Sequence, residues 1–354
     1  MRHLGAVSVV HQLTRTPLRE TAREHGRIAM SKGLGLLSGG LDSILAALTL
    51  RRQGVEIACV AFVTPFFGAD KALKTARALD FPLRVEDIGK VHLEMLKAPR
   101  YGYGKNMNPC IDCHALMFRL AGKMMGEEGF DFLFSGEVLG QRPMSQNLSA
   151  LRAVANYSGY PERVLRPLSA RLLPITPMEE AGLVDRERLL DIQGRSRRRQ
   201  QELADEWGVT DYPSSGGGCL LTESSFSGRL RDLFTHRPEA DVTDVELLKV
   251  GRQFRLSPQA QLAVGRNQSD NEAIKRLVRP SDILIRADNF SGPLGLVSGA
   301  AGAEELAAAG AIIATYGKGK NEGTVRVLLQ QAERKWTIDV IPMPQDGIGR
   351  MQIL

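Results

Sequence analysis

Two short stretches of this 354-residue chain place reactive residue types at defined spacing. The first is Ser38-Gly39-Gly40-Leu41-Asp42-Ser43. It follows the apolar run Gly33–Leu37 and leads into Ile44–Leu50, apolar again and ending before Gly54. A strand, a glycine turn and a helix in succession make an anion cradle. Backbone N–H groups point out of the turn, with the positive end of the helix dipole behind them. Gly39 and Gly40 permit close backbone approach and φ > 0, while Ser38 and Ser43 add hydroxyl donors. The common phosphate loop ends in Gly-Lys-Ser/Thr. Here no Lys follows the glycines, and Asp42 stands two residues past Gly40. A carboxylate beside a polyphosphate makes chemical sense when Mg²⁺ lies between them. The bland alternative is a glycine-rich strand–helix turn without a ligand.

The second stretch is Asn108-Pro109-Cys110-Ile111-Asp112-Cys113-His114. Two thiols in C-x-x-C at a helix N-terminus point to one side, can share a metal and have their pKa lowered by the helix dipole. A late cysteine, Cys219, follows Gly216-Gly217-Gly218 in a loop able to fold over the other two. Cys59 lies within an apolar strand and reads as an inert core thiol. Four uses of these thiols stay open. C-x-x-C-H matches the c-type haem attachment pattern, which needs an exported chain and a second axial ligand. A redox dithiol is a second use. A structural Zn²⁺ on Cys110, Cys113, Cys219 and His114 is a third. The fourth is a [4Fe-4S] cluster on Cys110, Cys113 and Cys219, whose fourth iron stays open to substrate or sulfide.

These sites need elements to position them. From Ser31 strands and helices alternate: Glu56–Val63, Leu83–Ile88, Phe130–Phe134 and Val164–Leu165 read as strands, Ala69–Leu79 and Cys113–Glu128 as helices. That rhythm predicts an α/β unit, a doubly wound parallel sheet with helices on both faces. Ligands of such sheets bind at the carboxyl ends of the strands, where the Ser38–Ser43 loop falls. Asp185–Trp207 reads as one long basic helix bearing Arg195, Arg197, Arg198 and Arg199: a solvated face, or a contact for a phosphate backbone. After about residue 240 shorter strands (Ile283–Ile285, Leu294–Val297, Val325–Leu328, Thr337–Ile341) alternate with helices at Asn271–Val278 and Ala303–Ala309. A smaller α+β domain is expected there, with Gly317–Lys320 as a basic loop. The expected division is a flexible N-terminal extension at 1–29, a catalytic domain at 30–222 and the α+β domain at 240–354.

Bulk properties narrow the class. No stretch is long and apolar enough to span a bilayer, so no membrane partner is expected. The net charge of +6 permits a polyanionic partner. Four cysteines in this length do not make a disulfide scaffold, and a reducing cytoplasm is expected.

Ser-Gly-Gly-Leu-Asp-Ser closely resembles the pyrophosphate loop of the PP-loop ATP pyrophosphatases, which split ATP into AMP and pyrophosphate. Asn-Pro-Cys-x-x-Cys with a late Cys in a glycine loop resembles the tRNA thiolation enzymes of that group. Gly136-Glu137-Val138-Leu139-Gly140-Gln141 is similar to a segment of the 4-thiouridine synthetases, and Arg166-Pro167-Leu168 fits them as well. In the 2-thiouridylases the positions matching Cys110 and Cys219 carry catalytic cysteines; in several relatives the three Cys hold a [4Fe-4S] cluster. The resemblance covers roughly residues 31–222. It departs from the 4-thiouridine synthetases in having no N-terminal RNA-binding domain, and its C-terminal part resembles the RNA-binding module of the NFACT proteins.

The resemblance implies an adenine nucleotide alpha-hydrolase-like fold and an ATP-dependent sulfurtransferase. It would adenylate a tRNA base oxygen, replace it with sulfur and release AMP and pyrophosphate. The implied ATP contacts are Ser38, Gly39, Gly40, Leu41, Asp42 and Ser43, the backbone at Ala61 and Phe62 over the adenine, and Gly136 and Gln141. Gln141, Ser145 and Gln146 either line the base pocket or start a capped helix. Asp42 would hold Mg²⁺, and sulfur would sit on the cluster or as a persulfide on Cys110 or Cys219. The implied partners are tRNA or another structured RNA and a sulfur donor, a cysteine desulfurase or sulfide. Two other classes stay open: adenylation of a small molecule, and a non-catalytic RNA-binding protein with a vestigial loop.

Overall fold

The computed structural model describes residues 30–213 and 218–354. The extension at 1–29 and residues 214–217 of the glycine loop lie outside the described residues.

The first part alternates as its hydrophobic pattern requires. β1 (Lys32–Leu36) leads into α1 (Leu41–Arg51), then β2 (Glu56–Val63), α2 (Asp70–Leu79), β3 (Leu83–Asp87), α3 (Gly89–Lys97), α4 (Cys110–Glu128), β4 (Phe132–Ser135), α5 (Leu148–Ser158) and β5 (Val164–Leu165). The five strands form a parallel sheet in the order β3-β2-β1-β4-β5. The chain builds outward from β1 to β3 and then returns to the other side of β1. The carboxyl ends of β1 and β4 therefore flank the point where the winding reverses, the place such sheets bind ligands. Helix α1 is buried along nearly its whole length, among Ile57, Phe132 and Leu165. Helix α4 packs on the opposite face, with Leu116, Phe118 and Ala121 against Leu34, Val60 and Leu133. This is the expected adenine nucleotide alpha-hydrolase-like doubly wound α/β sheet.

The long helix expected at Asp185–Trp207 does not form. After α6 (Pro177–Glu180) the segment makes a single 3₁₀ turn at Arg186–Arg188, runs irregularly, and becomes helical only as α7 (Arg198–Glu206). Leu189 and Ile192 insert into the α1 core. Gly194, at φ 83, donates its N–H to the Leu139 carbonyl, and Gln193 bridges to Leu139. The burial of two apolar side chains and a backbone contact to the segment after β4 outweigh local helix propensity.

Helices α8 (Ser224–His236) and α9 (Val242–Leu248) follow, sharing a core with Phe66, Leu93, Leu96 and Met107. A second sheet is built from β6 (Arg252–Ser257), β7 (Ala260–Val264), β8 (Ile283–Ala287), β9 (Gly295–Gly299), β10 (Val325–Gln331) and β11 (Arg334–Val340). Its order is β11-β10-β8-β9-β7-β6, and every pairing is antiparallel. α11 (Ala303–Tyr316) covers one face, with Ile312 and Ile313 among Ile285, Val297 and Val327. α10 (Gln268–Leu277) covers the other through Ile274, and α12 (Gln345–Met351) adds Ile348 to the larger core. This is the expected smaller α+β unit.

Candidate active site

The loop after β1 takes the shape its glycines allow. Gly39 has φ 72, and a Cβ there would lie 2.3 Å from the Lys71 carbonyl carbon. Only glycine lets the turn lie against the start of α2 at that angle. Gly40 caps α1 without any side-chain hydrogen bond to the helix, leaving the positive end of an 11-residue helix facing the loop. Ser38 and Ser43 tie the turn together: the Gly40 N–H donates to Ser38 Oγ at 3.3 Å, and Ser43 Oγ donates to the Gly40 carbonyl at 2.8 Å. Leu41 points into the core. Gly136, just after β4, presses on the same turn: a Cβ there would stand 2.4 Å from the Ser43 nitrogen.

Asp42 is engaged by three side chains from distant segments. Its Oδ2 accepts from Gln141 Nε2 and from an Arg197 guanidinium nitrogen, both at 2.7 Å. Gln200 Nε2 donates to Gln141 Oε1 at 2.9 Å and lies 3.4 Å from Asp42 Oδ1. Gln141 therefore reaches the loop through the Asp42 carboxylate. Ser145 and Gln146 lie in the turn after it; the helix cap there is Asn147, whose side chain accepts from the Ala150 N–H.

Ala61 and Phe62 are buried on opposite faces of β2. β1 ends against Val60, and the Leu37 N–H reaches the Val60 carbonyl. By the alternation of a parallel ladder, Phe62 turns its N–H and C=O to the β1 side, past the end of that strand.

Cys110 opens α4 and Cys113 follows one turn later. Cys113 Sγ lies 3.3 Å from His92 Nε2, and Asn108 Nδ2 donates to Cys110 Sγ at 3.3 Å. The His92 ring is completely buried and its Nδ1 has no partner; burial pushes its pKa down to about 4. The expected lowering of both thiol pKa values by the helix dipole is not what the structure gives for Cys113. Burial, reinforced by the charges of Cys219, Cys110 and Asp112, pushes that thiol well up. Burial likewise raises Cys219, to about 11. Cys59 is buried among the α1 core and raised to about 12, as an inert core thiol should be. The three thiols of Cys110, Cys113 and Cys219 stand near enough to feel one another's charge. Among the described residues, however, no three His, Cys, Asp or Glu side chains form a metal-holding group.

The segment 136–141 touches both motifs. Gly136 abuts α1, Gln141 binds Asp42, and between them Glu137 reaches the cysteine helix. Glu137 Oε1 lies 2.8 Å from His114 Nδ1, and Oε2 accepts from Arg166 Nε at 2.9 Å. Burial alone would raise the Glu137 carboxyl, but the Arg166 charge and the His114 hydrogen bond together hold it at about 2. Arg197, Gln200, Glu137 and His92 are functional candidates that sequence reasoning missed. Arg197 was visible only as part of a basic run and Glu137 only as a letter in a quoted motif; their partners lie 155 and 23 residues away.

Of the four arginines expected on the basic helix, Arg197 points to Asp42, while Arg198 pairs with Glu202 and Arg199 with Asp191. Among the described residues no helix is long and apolar enough to cross a membrane.

Residues 29–171 match the family described as thiamine biosynthesis protein (ThiI), and residues 251–351 the NFACT protein RNA binding domain. Proteins of Staphylococcus aureus strains MRSA252 and Newman, each named probable tRNA sulfurtransferase, are 33% identical over 144 residues, 39% of this chain. The chain spans about a third of the length of these curated relatives, 34%. A solved 4-thiouridine synthetase–RNA complex with bound ATP is 24% identical, with a TM-score of 0.38 over 62% of this chain and 52% of that one. The C-terminal part of a fibronectin/fibrinogen-binding protein from Streptococcus suis is 12% identical, with a TM-score of 0.28 over 69% of this chain and 90% of that one. Residues 29–171 are thus similar to the ThiI family and residues 251–351 to the NFACT RNA binding domain.

Proposed function

We propose that this chain is an ATP-dependent tRNA sulfurtransferase of the cytoplasm, with its catalytic domain at 30–222 and an RNA-binding domain at 240–354. One observation carries the reading: the 136–141 segment joins the glycine loop to the cysteine helix. Gly136 and Gln141 contact the loop, and Glu137 holds His114 beside Cys113. Nucleotide activation and sulfur delivery would then share one rigid support.

The uncapped start of α1, with Ser38, Gly39, Gly40, Leu41, Asp42 and Ser43, would hold the polyphosphate of ATP. The Phe62 backbone, beside Ala61, would meet the adenine. Arg197 is placed to exchange the Asp42 carboxylate for a phosphate oxygen, freeing Asp42 for a Mg²⁺ that would neutralise the leaving pyrophosphate. The base oxygen attacks the α-phosphorus and pyrophosphate departs. The base carbon then carries AMP, a far better leaving group than oxide.

Sulfur would arrive as a persulfide on Cys110, donated by a cysteine desulfurase. Its outer sulfur attacks the activated carbon, and AMP leaves with the C–O electrons. Cys219, its proton passing to solvent as it reacts, then attacks Cys110 Sγ. The S–S bond to the base breaks, leaving the thiocarbonyl on the base and a Cys110–Cys219 disulfide that an external thiol reduces.

The test combines ATP, bulk tRNA, cysteine and a cysteine desulfurase, and measures AMP together with thionucleosides by mass spectrometry. Cys110→Ser should abolish sulfur insertion and keep ATP binding; full thiolation by that variant refutes the cysteine assignment. AMP formation at the same rate without RNA would favour a small-molecule substrate. Protein purified without oxygen should yield cyanolysable sulfur after desulfurase treatment. About four irons and four sulfides per chain, lost in Cys219→Ala, would move the sulfur from thiols to a cluster.

A further inference from the structure

The loop between α3 and α4, residues 98–108, is held with unusual firmness for an exposed connection. Asp112, inside the C-x-x-C and 1% exposed, accepts from the Arg100 N–H at 2.8 Å and the Tyr101 N–H at 3.0 Å. Tyr103 donates its hydroxyl to the Leu96 carbonyl at 2.8 Å. At its far end Asn106 Nδ2 donates to the Thr222 carbonyl at 2.6 Å, and the Met107 N–H lies 3.3 Å from Ser227 Oγ. One end of the loop is therefore fastened to Asp112 in the first turn of α4, and the other to the segment just after Cys219.

This fixed loop displays aromatic rings and cations. Tyr101 is 43% exposed and Tyr103 is 40% exposed. The Tyr101 ring stands edge-on to Tyr157 of α5, with centroids 5.8 Å apart. The Arg100 guanidinium lies 5.1 Å from the Tyr157 centroid and that of Arg119 lies 4.8 Å from it. Arg142 is near enough to act on Cys219, and Arg231 on Tyr103. An exposed tyrosine on a hydrogen-bonded loop, with the Arg100 guanidinium 5.8 Å from its ring centroid and further arginines at its neighbours, suits an unpaired nucleobase with its phosphates. The ring takes the π-face and the guanidinium groups take the backbone charge.

We propose that Tyr101, backed by Tyr157 and Arg100, is a stacking platform that receives an unpaired nucleobase of an RNA substrate beside Cys110 and Cys219. The proposal rests on the reading above, in that the RNA is taken to be the sulfur acceptor. The buried Asp112 anchor keeps the platform in register with the thiols. A base held on Tyr101 cannot drift from them without breaking two backbone hydrogen bonds.

The test uses the full chain and a short oligouridine carrying one 5-iodouridine, irradiated where only the iodobase absorbs, with cross-linked peptides mapped by mass spectrometry. The expected cross-link falls on the peptide containing Tyr101, is lost in Tyr101→Ala and persists in Tyr101→Phe. Tyr101→Ala should weaken oligouridine binding roughly ten-fold and leave binding of an abasic oligomer of the same length unchanged. Tyr101 is 43% exposed and loses one edge-on ring contact on truncation, so the melting temperature should fall by only about 2–4 °C. Cross-links confined to 251–351 overturn the platform, and so does equal loss of the abasic oligomer. Unchanged RNA binding with loss of sulfur uptake from a cysteine desulfurase also overturns it, assigning the tyrosines to a protein partner. If tRNA gains no sulfur while the Tyr101 cross-link persists, the platform stands and the sulfurtransferase reading fails.

Discussion

Gly136→Ala drives a wedge between the end of β4 and the start of α1, the two elements that hold the polyphosphate in the proposed function. The glycine follows β4 and meets the first turn of α1. A Cβ built there lies 2.4 Å from the Ser43 nitrogen, 2.5 Å from the Asp42 carbonyl carbon and 2.7 Å from its oxygen. All three are backbone atoms, so no side chain can swing away. Ordinary contact begins near 3.4 Å, so β4 and the loop must part by about 1 Å. A displacement of that size at a reacting group costs about 10²-fold in rate, while overpacking costs about 1–3 kcal/mol of stability. Gly126→Ala in α4 is the matched control, because a Cβ there meets nothing within 4 Å and Ala favours a helix by about 1 kcal/mol. Single-turnover AMP formation with tRNA, ATP affinity by calorimetry and thermal melting would be measured for both variants. The expectation is a loss of about 10²-fold in AMP formation for Gly136→Ala with a modest drop in melting temperature, and no loss for Gly126→Ala. Wild-type ATP affinity and AMP formation in Gly136→Ala would refute the claim that this contact positions the polyphosphate loop.

Further outcomes follow from the same contacts. Arg197→Met removes the guanidinium from Asp42 and should raise the ATP KM about ten-fold, near the value of one charge-assisted hydrogen bond; an unchanged KM would place Arg197 outside the nucleotide site. Glu137 is held at about 2 in the folded chain, below an unfolded carboxylate near 4.3. Its stabilising contribution is thus full above that unfolded value and is lost as pH falls toward 2. Glu137→Gln should lower the urea midpoint at neutral pH, and the gap to wild type should narrow between about pH 4 and pH 2. A gap that widens with acid would contradict the ion-pair assignment.

Much of the first sheet was legible because its signals are local. β2 runs Glu56–Val63 and β5 Val164–Leu165, with the expected bounds, since short apolar runs between turn residues leave few alternatives. The loop was legible for the same reason: strand, glycines and helix lie within a dozen residues, and Gly39 does adopt the positive φ that its place requires. Asp185–Trp207 misled because its charge pattern favours a helix. Burial of Leu189 and Ile192 and the Gly194 contact to Leu139, all set by distant residues, override it. The β6–β7 hairpin also escaped notice. β7 is buried throughout and lacks the alternation that marks a half-exposed strand.

The sequence by itself determined where the two reactive motifs begin and what kind of layer carries each. A glycine turn before a helix and a C-x-x-C at a helix start are written in neighbouring residues. Only the tertiary structure decided what those motifs touch. Asp42 meets Arg197, His114 meets Glu137 and Arg166 lies behind it, and Asp112 fastens the Tyr101 backbone to the start of α4. Such pairings depend on which strand ends and helix starts the sheet brings together. No local propensity encodes that, because side chains far apart in sequence become neighbours only once the whole core has closed.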